Sequence, residues 1–157
     1  MARCLFIVQG EGKGHMSQAM ALKEYLDKAG HTVEAVLLGT STSDAVPDYF
    51  RKAFPDRLQT YQSPWFLRTP NKKGIYVGRT IAFNLLRSPA YFRSIARIRK
   101  EIDAIGPDVI FNFYELLGAL AMRKSASGIR RIGLGHHFYL HLNSSLCKAG
   151  PAWHRVL

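Results

Sequence analysis

The chain has 157 residues and a formal net charge of +11, from 22 Lys and Arg against 11 Asp and Glu. That length suits one domain with a real hydrophobic core, and no apolar run reaches membrane-spanning length. Cys4 and Cys147 show no metal-ligand spacing, and Met1 to Leu5 run straight into an apolar segment without a cleavable leader. Reduced thiols and a cytoplasmic location are therefore expected.

Cys4 to Gln9 is short, continuously apolar and bounded by glycine, the pattern of a strand buried on both faces. Gly10-Glu11-Gly12-Lys13-Gly14-His15 follows, and a helical pattern then runs from Met16 to Ala29, with Gly30 at its stop. Alternate glycines let backbone approach a ligand closely. A helix N-terminus just beyond them offers unpaired N–H groups to an anion. His15 stands at the mouth of that seat, where an imidazole can take a proton near neutral pH. The spacing fits neither a Walker loop, which needs Gly-Lys-Ser/Thr, nor a dinucleotide fingerprint, which needs glycine where His15 stands. The plainer alternative is a tight strand-to-helix turn with His15 as a helix-start residue.

Thr32 to Leu38 reads as a second buried strand and Arg57 to Tyr61 as a weaker one. Between Arg51 and Lys100 the chain carries twelve Lys and Arg, Lys72 and Lys73 among them, against Asp56 alone. Trp65, Phe66, Tyr76, Phe83, Tyr91 and Phe92 are interleaved with them. Such a face suits an anionic membrane. It would also suit nucleic acid, or serve only as a solvated surface. Pro64 to Leu86 fits no regular element and reads as a long, partly mobile connection.

Ser88-Pro89 places a cap residue before a proline at a helix start. Tyr91, Ile95, Ile98, Ile102 and Ile105 then form one apolar stripe, and Gly106-Pro107 ends the helix. Asp108 to Phe113 and Arg131 to Gly135 complete the strands, with a helix from Glu115 to about Ser125 between them. Alternating strands and helices predict a single Rossmann-like α/β domain, a parallel sheet flanked by helices. Loops 10–15, 112–115 and 135–138 should meet at the carboxyl ends of the strands, at the topological switch point.

Three stretches resemble the N-terminal half of GT-B glycosyltransferases of the MurG type, glycosyltransferase family 28. They are the glycine loop ending in Gly14-His15, the Pro107-Asp108-Val109-Ile110 strand start, and Gly128-Ile129 through Gly135-His136-His137. The chain departs from that pattern at Gln18 and Arg130, where the family often has proline. It departs again at Asn112-Phe113-Tyr114-Glu115, in place of tandem glycines.

The resemblance implies transfer of a hexosyl or N-acetylhexosaminyl group from a nucleotide-sugar to a lipid-linked or polymeric glycan acceptor. By the family's division of labour this half holds the acceptor, and the donor belongs to a second domain not seen here. The chain is then a fragment or one subunit of a split transferase, inactive alone. His15 is the implied base, with Glu115 its partner or substitute. For Glu115 the plainer role is a first-turn carboxylate of the following helix. Gly12, Lys13, Gly14, Asn112, Tyr114, His136 and His137 are the implied acceptor or phosphate contacts. No metal and no cofactor are expected. A peripheral place on the inner membrane face is expected, and nucleic acid is not. The reading from a different class is a non-catalytic domain that binds phosphate or nucleic acid through the basic face.

Overall fold

The computed structural model describes residues 1–41, 46–67, 69, 71, 74–123 and 128–135. The elements run β1 (Arg3–Gln9), α1 (Lys13–Lys28), β2 (Thr32–Thr40), α2 (Asp48–Ala53), β3 (Leu58–Gln62), α3 (Val77–Leu86), α4 (Ser88–Ile105), β4 (Val109–Phe113), α5 (Leu116–Met122) and β5 (Arg130–Leu134). Every strand pairing is parallel, and the sheet order is β3-β2-β1-β4-β5. This is the expected Rossmann-like sheet. The chain leaves β1 toward β2 and later returns to β4 on its other side, so the switch point lies between β1 and β4.

Both faces of the central strand are covered, which is why its sequence is continuously apolar. Cys4, Phe6 and Val8 turn to one face and pack with Met16 and Ala19 of α1 and Phe50 of α2. Phe6 meets Phe111 and Phe113 of β4 edge to face, with centroids 5.6 and 5.2 Å apart. Leu5 and Ile7 turn to the other face, against Ile95, Ile98 and Ile102 of α4 and Leu117 of α5. β2 contains one extra residue. Cys4 pairs with Val33 and Leu5 with Ala35, so Glu34 is bulged out of the ladder. The bulge turns Val33 to the α1 face, while Ala35 and Leu37 serve the α4 face. Glu34 faces Arg3 across 3.8 Å.

Several boundaries differ from the sequence expectation. Helix α1 begins at Lys13, not Met16, so Gly14 and His15 belong to its first turn and the connecting loop is only Gly10 to Gly12. Ser88 is the first residue of α4 rather than its cap; Arg87 takes the flanking position. Glu115 is the cap of α5, which ends at Met122, and the expected end near Ser125 lies outside the described residues. Residues 64–86 do contain a regular element, α3. It faces the core only weakly, with Thr80 its one buried residue, so its apolar pattern did not signal a core helix. Helix α2 is also additional; its six residues are too few for periodicity to register.

Candidate active site

The glycine loop is built by two different constraints. Gly12 holds φ 100°, a left-handed conformation that disfavours any side chain. Gly10 instead donates its N–H to the Gly39 carbonyl at 2.7 Å, and a Cβ there would come within 2.5 Å of the same oxygen. That amide therefore closes the loop onto β2 and does not open toward the cleft. Gly12, Lys13 and Gly14 are exposed at the N-terminus of α1, which has neither a side-chain cap nor an acidic residue in its first turn. Its leading N–H groups and the positive end of its dipole face outward.

His15, half-buried, stacks on the ring of Tyr114, with centroids 5.6 Å apart and planes 10° from parallel. The two come from adjacent strand ends, β1 and β4. Tyr114 adopts φ 57°, uncommon for a bulky residue and costing on the order of 1 kcal/mol or more. A closed turn holds it there. Asn112 Oδ1 accepts from the Glu115 N–H and Asn112 Nδ2 donates to the Glu115 carbonyl, both at 2.9 Å. Asn112 is thus spent on the backbone of the turn.

Glu115 is 2% exposed. Its Oε2 accepts from the Gly118 N–H at 2.6 Å, capping α5, and its Oε1 accepts from the Ser63 hydroxyl. Gly39 permits this arrangement, since a Cβ there would meet Glu115 Oε1 at 2.9 Å and the Tyr61 hydroxyl at 3.1 Å. Burial raises the Glu115 pKa, and the Ser63, Gly118 and Tyr61 contacts offset part of that rise. Tyr61 is raised well above its ordinary value, first by burial and then by the Glu115 charge. The sequence singled out Glu115 but not Ser63, Tyr61 or Gly39. Polar residues at the end of a weak strand carried no signal of a shared carboxylate.

A cavity of about 550 Å³ opens beside this turn, walled by Trp65, Phe66, Leu116, Ala119, Met122 and Leu134 among others. Tyr114 and Glu115 lie in its wall. His136 and His137 lie outside the described residues, as do Arg68, Lys72, Lys73 and Cys147. Among the described residues no group of His, Cys, Asp and Glu is arranged to hold a metal. No described helix is long and apolar enough to cross a membrane.

The model of Glycosyl transferase family 1 matches residues 2–132, most of the chain. The chain belongs to this family. Among solved structures it is similar to MurG of Acinetobacter baumannii, with a TM-score of 0.52 and 16% identity, over 91% of this chain and 39% of that one. It is also similar to the glycotransferase of kitacinnamycin, with a TM-score of 0.49 and 17% identity, over 94% of this chain and 35% of that one. The chain thus spans well under half of either protein. No curated protein sequence matches it. The likeness to MurG concerns the fold, and it agrees with the MurG-like, GT-B N-terminal pattern of the sequence. In this family 1 chain the Asn112–Glu115 segment is a closed, hydrogen-bonded turn that sets an aromatic ring on the loop histidine.

Proposed function

We propose that this chain is the acceptor-binding half of a sugar transferase. The observation that carries the reading is the family match together with His15 and Tyr114 stacked over the switch point of the sheet. His15 takes the proton of an acceptor hydroxyl. The oxygen then attacks the anomeric carbon of a nucleotide-sugar, and the bond to the leaving phosphate breaks with its electron pair. The exposed N-terminus of α1, with Gly12, Lys13 and Gly14, receives an anionic group of the acceptor. Glu115 acts from behind, as the buried cap that fixes the Tyr114 turn. His136 and His137, which follow β5 in the sequence, are further candidate acceptor contacts. The donor is held by a second domain or partner, since both reactants must be brought together, and this chain alone does not turn over.

The acceptor is a lipid-linked or polymeric glycan, the sugar moved is a hexosyl or N-acetylhexosaminyl group, and the domain works at the inner face of an anionic membrane. Helix α3 supports the membrane part. Val77, Ile81 and Leu85 recur every four residues along it and are 66, 63 and 71% exposed. Phe92 at the start of α4 is 71% exposed as well, and Arg79, Arg87 and Arg93 in the same stretch of chain are exposed. An exposed apolar stripe in a basic stretch of chain fits an anionic interface. Other cations of the basic segment are tied to the fold: Arg57 donates to the Val33 carbonyl at 2.6 Å and Arg97 to that of Thr60 at 3.2 Å.

The test is transfer by the protein with its donor half present. His15→Ala should lower kcat by roughly 100-fold or more, the usual weight of a general base. Unchanged turnover would remove His15 from the mechanism.

A further inference from the structure

Apolar burial does little to hold helix α3 on the domain. Among the described residues none of α3 joins either apolar core cluster, and Thr80 is its one buried residue. Side-chain bonds to backbone hold it instead. Asn84 Oδ1 accepts from the Trp65 N–H at 3.1 Å and from the Tyr91 hydroxyl at 2.7 Å. Its Nδ2 donates to the carbonyls of Trp65 at 2.9 Å and Thr80 at 2.8 Å. All the hydrogen-bonding positions of the amide are filled. The Trp65 backbone fixes which way the amide points, since its N–H needs the oxygen and its carbonyl the nitrogen. One turn earlier Thr80 Oγ1 accepts from the Leu67 N–H at 3.1 Å, and the Tyr76 N–H donates to the Leu67 carbonyl at 2.9 Å. Residues 76, 80 and 84 recur every four and so line one side of the helix. Trp65 and Leu67 are bonded along that side much as to a neighbouring strand.

Both ends of this arrangement lead somewhere. Trp65, Phe66 and Asn84 stand in the wall of the cavity beside the Tyr114 turn. Two residues before Trp65, Ser63 donates to Glu115, the carboxylate that caps α5. Tyr91 ties Asn84 to the α4 face of the core. A helix held by apolar contact can slide, because such contact has no direction. One held by directed bonds to a single backbone residue carries that residue with it or leaves its polar groups stranded. We infer that Asn84 is a positioning residue, with Thr80 as a second pin: together they make α3 and the Trp65 wall one unit, so that a membrane engaging the exposed face of α3 shifts the wall beside the Ser63–Glu115 pair. The unit rests on the hydrogen bonds. Only the last step rests on the reading of α3 as the membrane contact.

The experiment uses the 157-residue chain with Trp153→Phe, which leaves Trp65 its one tryptophan. Amide hydrogen exchange is measured first, without lipid. Asn84→Ala should speed exchange at Trp65, at Leu67 and through α3 together, by on the order of tenfold or more, and leave β1 and β4 protected. Thr80→Val removes one acceptor at nearly constant shape and should act the same way to a smaller degree, while Thr80→Ser should restore the wild-type pattern. Vesicles follow. Phosphatidylglycerol vesicles, but not phosphatidylcholine ones, should shift the Trp65 emission maximum in the wild type. Asn84→Ala keeps Val77, Ile81 and Leu85, so it should still sediment with phosphatidylglycerol vesicles, but with the emission shift lost. Thermal unfolding checks that each variant is folded, and if Asn84→Ala is not, the two Thr80 variants decide.

Faster exchange confined to the Trp65 amide would overturn the unit, since α3 would then be held by something else. A full emission shift in folded, vesicle-bound Asn84→Ala would overturn the transmission, since Trp65 would then be meeting lipid directly. If the wild type ignores phosphatidylglycerol vesicles, the membrane reading of α3 falls, and the exchange of α3 jointly with residues 65 and 67 decides the unit alone.

Discussion

Tyr114 carries an unfavourable backbone conformation to place its ring on His15, and Glu115 carries an unfavourable burial to hold that turn. Tyr114→Gly should relieve the strain and change stability by no more than about 1 kcal/mol in either direction. The same variant should impair the chemistry by freeing the imidazole, a split that thermal melts and turnover would read separately. Glu115→Ala should cost roughly 1–3 kcal/mol, from the lost cap and the stranded Ser63 hydroxyl. Glu115→Gln keeps an acceptor for Gly118 and should cost less. Because the folded pKa of Glu115 lies above the unfolded value, the folded state holds the extra proton. Stability from this group is full below 4.5 and falls as pH rises from there through the raised value. Urea melts across that window should show the wild type losing ground to Glu115→Gln as pH rises. A constant difference would contradict the burial argument.

The α4 stripe was legible because Tyr91, Ile95, Ile98 and Ile102 each face the sheet, and periodicity reports that directly. Strand β1 was legible because burial on both faces leaves no polar residue between Cys4 and Val8. Helix α3 was not legible, since its apolar residues face outward and Asn84 and Thr80 face in, the inverse of a core helix. The start of α1 was missed because Gly14, two residues after Gly12, reads as loop, and φ at Gly12 marks where turn gives way to helix. The glycine loop between β1 and α1 was recoverable from spacing, but the stacking of His15 on Tyr114 was not. Nor was the Ser63 partner of Glu115, just past the end of β3, or the room that Gly39 of β2 leaves for it. Two substitutions separate core from surface elements. Ile98→Ala, at a 1% exposed position of α4, should cost about 2–5 kcal/mol in denaturant unfolding. Ile81→Glu on α3 should stay within about 0.5 kcal/mol. If α3 docks on anionic vesicles, the same change should weaken sedimentation with them. Unaltered sedimentation would remove α3 from the membrane contact.

At the scale of the molecule, the sheet order β3-β2-β1-β4-β5 brings the loop histidine, the aromatic turn and the cavity to one edge, at the carboxyl ends of the strands. The net charge of +11 contributes steering toward anionic surfaces, with a reach of about 8 Å at physiological salt. Neither feature supplies a seat for a sugar nucleotide, and the chain spans 39% of the MurG to which it is similar. In the proposed function the reaction is divided between this half and a donor-binding half. The measurement that tests this division most directly is sugar transfer from a nucleotide-sugar to a lipid-linked or polymeric glycan acceptor, by this chain alone, with the donor half joined, and with the donor half joined to the His15→Ala form. Full turnover is expected only in the second case, with a loss of roughly 100-fold or more in the third. Turnover by the chain alone, or equal turnover with and without His15, would contradict it.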